Sequence, residues 1–262
     1  MYDWPETHAA LQAYWQSVRT NLKPLCPTLP MQLNHTSVDA QWQQSDLLLS
    51  QTCGYPLVTA LPEELVVIGT LNYDVELMRD GRYASVFLIK NSDSRTDIGE
   101  FNGAAFAFNS TDSQSGYNSV RNHLLDSPSV NATGSAFFGT GICSGSHRES
   151  IKCVASGMAD ICALDPISWF LAKRHEKTSK AVKVLGQTGY TPALPLVSHP
   201  NCIPGGISIE RWRDAVSTAL LNAIDSNASK ALLLSGISYI EKQQYAKVPI
   251  HSHDMIARTS AH

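Results

Sequence analysis

The apolar run Ala104 to Phe108 (AAFAF) passes directly into Asn109 to Arg121 (NSTDSQSGYNSVR), and this junction most constrains how the chain can fold. An apolar run that ends in small polar residues and Gly116 reads as a strand, a tight turn and a helix start. A helix start presents N–H groups without intrahelical partners and the positive end of a macrodipole. With Ser113, Gln114 and Ser115 in the turn, the junction suits a small oxyanion such as phosphate, phosphonate or sulfate. The same serines would equally serve to cap a helix, and the sequence leaves both readings open.

The strand–turn–helix pattern recurs. Helices are predicted over Thr7 to Leu22, Asn118 to Leu125, Glu149 to Ser156, Ile167 to His175 and Ser208 to Ile224. Strands are predicted over Asp46 to Leu49, Leu65 to Thr70, Tyr83 to Lys90, Ala104 to Phe108, Asp160 to Leu164 and Ala181 to Gly186, with Gly and Pro at the joins. Tyr55-Pro56 reads as a structural turn. Alternating β and α elements predict an α/β protein with mostly parallel sheets and right-handed crossovers.

Composition excludes several classes. The 262 residues are 43% hydrophobic and 16% charged, enough to bury a substantial core. A formal net charge of −3 argues against a nucleic-acid-binding protein. No run approaches the roughly 18 apolar residues of a membrane span. The start, MYDWPETHAALQAYW, lacks a basic and then apolar leader, so the chain as written reads as cytoplasmic. Six dispersed cysteines form no CxxC or zinc spacing and read as reduced thiols in or near the core, Cys162 as a small buried hydrophobe. Neither GxGxxG nor a P-loop is present, so no cofactor and no metal are expected.

The ordered set DLLLSQTCGYPLV (Asp46 to Val58), GRYASVFLIKNSDS (Gly81 to Ser94), DIGEFNGAAFAFNSTDSQSGYNSVR (Asp97 to Arg121), GSHRESIKCVASGMADICALDPISW (Gly145 to Trp169) and TGYTPALPLVS (Thr188 to Ser198) resembles the substrate-binding proteins of phosphate, phosphite and phosphonate ABC importers. These belong to the type II periplasmic-binding-protein superfamily. The resemblance implies two α/β lobes joined by two crossing segments, near Tyr83 to Lys90 and Lys183 to Leu196, with ligand trapped in the cleft by hinge closure. Residues 1–87 and 188–262 would form one lobe and 88–187 the other. It also implies a monomeric, non-catalytic protein, periplasmic in location, with an oxyanion ligand and a permease as partner.

Ligands of open α/β sheets bind beyond the carboxyl ends of strands. By resemblance, Ser113, Gln114 and Ser115 match the family's hydroxyl-rich grip, with Gln114 where Thr is common. His147 matches the cleft histidine, Tyr83 a ligand-contacting tyrosine, and Asp165 the region of an acidic position that receives amino groups. Gln51 and Thr52 occupy the end of the first-lobe strand, where an aromatic contact is replaced, and Tyr2 is a further contact candidate. Each has a structural alternative: His147 as a capping or surface residue, Asp165 as the cap of a helix with Pro166 at its first position, Tyr2 as aromatic packing. Two competing functions stay open. One is an enzyme on the same fold, with His147 as general base and Asp165 as its orienter. The other is a cytosolic ligand sensor.

Overall fold

The computed structural model describes residues 2–34, 37–127, 136–224 and 226–246. In chain order the elements are α1 (His8–Leu22), α2 (Val38–Trp42), β1 (Ser50–Gln51), α3 (Gly54–Thr59), β2 (Val66–Tyr73), β3 (Met78–Arg79), β4 (Arg82–Tyr83), β5 (Val86–Lys90) and β6 (Ala105–Phe108). Then follow α4 (Ser119–Leu125), β7 (Thr140–Cys143), α5 (His147–Ser156), β8 (Ile161–Leu164), α6 (Pro166–His175), β9 (Val182–Gln187) and β10 (Thr191–Pro192). The last are β11 (Pro195–Ser198), α7 (Ile209–Asn222), α8 (Asn227–Ala231), β12 (Leu234–Ser238) and α9 (Lys242–Ala246). The chain divides into two compact units. Unit 1 holds the described residues up to Arg82 and from Pro192 onward, and unit 2 holds Tyr83–Thr191.

Unit 1 is built on a sheet of order β1-β11-β2-β12, in which every neighbouring pair is antiparallel. One side is sealed by Leu47, Leu57, Leu65, Val67, Val197, Ile240 and Tyr245. The Tyr245 hydroxyl satisfies itself with Thr70 Oγ1 at 2.9 Å and by donating to the Ala193 carbonyl at 3.1 Å. Helices α1 and α7 pack together, burying Trp15 and Val18 of the one and Trp212 and Val216 of the other, and the Tyr14 hydroxyl donates to the Leu220 carbonyl at 2.9 Å. Gly81 and Ala193 bring the two crossing segments side by side, the Ala193 N–H donating to the Gly81 carbonyl at 2.8 Å.

Unit 2 is built on a sheet of order β7-β6-β8-β5-β9. Strand β6 is parallel to β7 and β8, while β5 is antiparallel to both β8 and β9. Its core is aromatic: Phe87, Phe101, Phe106, Phe108, Phe137 and Phe138 cluster with Ile89, Val120, Leu124 and Ile161. The Phe106 and Phe138 rings stack at 4.6 Å. Inside this unit too the crossing segments are tied: the Thr188 N–H donates to the Ser85 carbonyl at 2.9 Å, and the Ser85 N–H donates to Thr188 Oγ1 at 3.0 Å.

Several expectations change. The sheets are not mostly parallel: that of unit 1 is antiparallel and that of unit 2 is mixed, and the order in which strands enter each unit explains why. Helix crossovers order β6, β7 and β8 as parallel neighbours, but β5 arrives from unit 1 with no crossover helix before it and runs against them. The returning strand β11 does the same between β1 and β2. The run Tyr83 to Lys90 is two strands, β4 and β5, and Asp46 to Leu49 is not strand, because β1 pairs with β11 only at Ser50 and Gln51. The turn expected at Tyr55-Pro56 is helix α3, whose first turn tolerates proline. None of the six cysteines is in a disulfide; Cys162 is buried, whereas Cys143 is exposed.

Candidate functional site

Three helix starts follow the three parallel strands of unit 2. The chain turns from β6 into a π-helical turn, Gln114–Asn118, that runs on into α4. It turns from β7 into α5 and from β8 into α6. Because β6 lies between β7 and β8 with both parallel to it, the three carboxyl ends share one sheet edge. The first two turns are stitched together: the Ser144 and Gly145 N–H groups donate to the Phe108 and Asn109 carbonyls at 2.8 and 3.1 Å.

Each helix start has a side-chain cap. Ser113 Oγ accepts from the Gly116 N–H at 3.0 Å, Ser146 Oγ from the Glu149 N–H at 3.2 Å, and Asp165 Oδ1 from the Ser168 N–H at 2.8 Å. The π turn arises because the Asn118 N–H reaches back five residues to the Ser113 carbonyl, at 3.0 Å. It carries the turn's residues inward: Gln114, Ser115 and Asn118 are all buried. The Gln114 carboxamide donates to Ser119 Oγ at 3.1 Å and to Thr191 Oγ1 at 3.3 Å.

The centre of the site is a relay on one ring nitrogen. Ser115 Oγ lies 3.0 Å from His147 Nε2, and Asp165 Oδ2 lies 3.4 Å from that nitrogen. Asp165 is 2% exposed, and its Oδ2 also accepts from the Ser168 hydroxyl at 2.8 Å. A carboxylate facing Nε2 places the imidazole proton there, while Nδ1 is buried with no hydrogen-bond partner among the described residues. Burial lowers the His147 pKa, the Asp165 charge opposing that shift, so the ring is neutral at neutral pH. Gly116 permits the approach. A Cβ there would meet the Asn109 side chain and lie 3.2 Å from His147 Cε1, so the Asn109 side chain would have to move and the ring give way slightly.

Unit 1 carries a separate group. The Gln51 carboxamide donates to the Tyr73 hydroxyl at 3.3 Å, and the Tyr2 and Tyr73 rings meet edge to face at 5.3 Å. Thr52 is fully buried; its N–H donates to the Pro195 carbonyl at 2.9 Å and its hydroxyl to the Cys53 carbonyl at 3.3 Å. Tyr83 is fully buried in β4.

The structure thus gathers Ser113, Gln114, Ser115, His147 and Asp165 at one edge of unit 2, and Tyr2 with Gln51 in unit 1. Sequence reading missed Tyr73, Thr191, Ser119 and Ser168. Their partners lie 22, 77, 5 and 3 residues away. Only the last two spacings are local enough to have been read, as a helix-start pair and as a cap. No group of His, Cys, Asp and Glu among the described residues could hold a metal ion.

A family model described as the periplasmic substrate-binding protein of phosphonate ABC transporters matches residues 43–245. Among solved structures, PhnD1 from Prochlorococcus marinus in complex with methylphosphonate is similar at a TM-score of 0.61 and 18% identity, covering 92% of this chain and 91% of that one. A binding protein component of an ABC phosphonate transporter, PA3383 from Pseudomonas aeruginosa, is similar at 0.60 and 12% identity, covering 90% and 79%. XAC2383 from Xanthomonas citri bound to chloride ion is similar at 0.62 and 12% identity, covering 95% and 92%. At these identities the structures speak for the type II periplasmic-binding-protein fold. None of the curated proteins matches the chain in sequence.

Proposed function

The chain belongs to the family of periplasmic substrate-binding proteins of phosphonate ABC transporters, and on that premise we propose that it captures a small phosphorus oxyanion at the strand-end turns of unit 2. The class is phosphate, phosphite or phosphonate, and the delivery partner is an ABC permease. The family binds its solute without chemistry, so the chain is a binding protein and not an enzyme.

One observation carries the reading: Ser115 Oγ and Asp165 Oδ2 both face His147 Nε2, at 3.0 and 3.4 Å, where three helix starts share a sheet edge. If Ser115 Oγ accepts from His147 Nε2–H, its own hydroxyl proton is free to point at an anion. Ser113 is in the same position, because its oxygen is occupied by the Gly116 N–H. Backbone amides at a helix start are neutral donors, which hold an anion strongly when water is excluded. Gln114 would contribute through its backbone, its carboxamide amide being bonded to Ser119 and Thr191. Gln51, Thr52 and Tyr2 are kept in the proposal as candidate contacts supplied by unit 1, and Tyr83 as one supplied by unit 2.

The relay also speaks against His147 as a catalytic base oriented by Asp165. In a nucleophile-activating triad the histidine uses its two nitrogens for two different partners. Here Ser115 and Asp165 share Nε2.

Calorimetric titration with methylphosphonate, phosphite, phosphate and a small dicarboxylate tests the reading. Saturable binding of at least one phosphorus oxyanion is expected, with intact ligand recovered by phosphorus NMR. Binding of the dicarboxylate alone would overturn the ligand class, and catalytic loss of the ligand would overturn the binding role.

A further inference from the structure

Helix α6 buries Ile167, Ser168, Leu171 and Ala172 against unit 2. Its other face carries half-buried Trp169 and Phe170 beside exposed Lys173, Arg174 and His175. The Lys173 ammonium sits 5.5 Å from the Phe170 ring centre and 5.7 Å from that of Trp169, and the Arg174 guanidinium 4.6 Å from Phe170. Exposed Lys177 and Lys180 continue the surface beyond the helix end. Between Pro166 and Lys180 fall four of the chain's 20 Lys and Arg but one of its 23 Asp and Glu. That acid, Glu176, is bonded to Arg148 at 3.0 Å. The net charge of the whole chain is −3, so this face stands against the general balance.

Cations at a helix carboxyl end are favourable with the dipole, which accounts for Lys173 and Arg174 on their own. It accounts neither for two half-exposed aromatic rings on that face nor for the lysines past the helix end. We propose that this face of α6 docks the protein on an anionic phospholipid surface. Trp and Phe rings sit at the headgroup level, while long Lys and Arg stems carry their charges to lipid phosphates. Lys173 and Arg174 lie over aromatic faces, an arrangement that suits a diffuse anionic plane better than one stereospecific carboxylate. The contact is peripheral, since no helix among the described residues is long and apolar enough to cross a membrane. The inference rests on unit 2 alone and is independent of the oxyanion proposal.

Co-sedimentation with vesicles tests it, using phosphatidylcholine alone against phosphatidylcholine mixed with phosphatidylglycerol. The intact protein should bind only the anionic vesicles, release at high salt, and show a blue-shifted tryptophan emission when bound. The double variant K173Q/R174Q should lose roughly tenfold or more in partitioning. Lys230→Gln, an exposed lysine of unit 1, should not. Circular dichroism of both variants checks that they fold. Three results would each overturn the proposal: no binding to anionic vesicles, binding that survives the double substitution, or capture of polyglutamate in place of vesicles.

Discussion

Ser115 Oγ and His147 Nε2 stand 3.0 Å apart across 32 residues of sequence, and the same nitrogen faces the Asp165 carboxylate. This pairing makes the turn after β6 and the start of α5 a single donor surface. It also makes the roles of the two turn serines separable, because Ser113 is a helix cap and Ser115 is not.

The serines should therefore respond differently to alanine. Ser113→Ala removes the acceptor for the Gly116 N–H and should cost about 1 kcal/mol of stability by denaturant unfolding. Ser115→Ala should leave stability nearly unchanged and weaken oxyanion binding at least tenfold, at about 1.5–3 kcal/mol for a charge-assisted hydrogen bond. Equal affinities for Ser115→Ala and the parent by calorimetry would remove Ser115 from the grip.

Gly116→Ala should weaken binding, because its Cβ would meet the Asn109 side chain and crowd the His147 ring. The overpacking should cost about 1–3 kcal/mol of stability. Gly189→Ala is the control: nothing lies within 4 Å of a Cβ there, and its backbone is not left-handed. That variant should unfold at the parent's denaturant midpoint or slightly above it.

Asp165 plays two parts that substitutions can divide. Asp165→Asn keeps an acceptor for the Ser168 N–H, so α6 should keep its cap. It removes the charge that supports protonation of His147, so the His147 titration followed by NMR should move further down. Asp165→Ala loses the cap as well and should cost about 1 kcal/mol more than the asparagine variant. An unmoved His147 titration in Asp165→Asn would show that the carboxylate does not act on the ring.

Stability should fall on the acid side through two half-buried histidines. Burial lowers the pKa of both His147 and His123 below that of an unfolded chain. Between the lowered folded value and about 6.5 the unfolded state binds more protons, so stability is full above about pH 6.5 and is lost as pH falls through the folded pKa. His147→Asn should flatten part of that slope and leave the part due to His123. A trapped anion favours the protonated ring, so ligand should bind with proton uptake. Calorimetry in buffers of different ionisation enthalpy measures that uptake directly.

Much of the chain's local structure could be read from its residues. Apolar periodicity and caps placed α1, α4, α5, α6 and α7 within a few residues of their ends, and placed Ser113, Ser115, His147 and Asp165 at strand ends. Those features are local: a cap acts over three residues and a periodic face over one turn. The tertiary structure alone decided the rest. It reversed β5 and β11 within their sheets, because direction depends on how a strand enters a unit and not on its composition. It turned the Gln114 carboxamide toward Thr191, 77 residues away, and joined Gln51 to Tyr73. It set Ser115 and Asp165 on one nitrogen of His147, a choice between two ring atoms that no spacing in the sequence records, and the sharing of that atom favours a grip over a catalytic base.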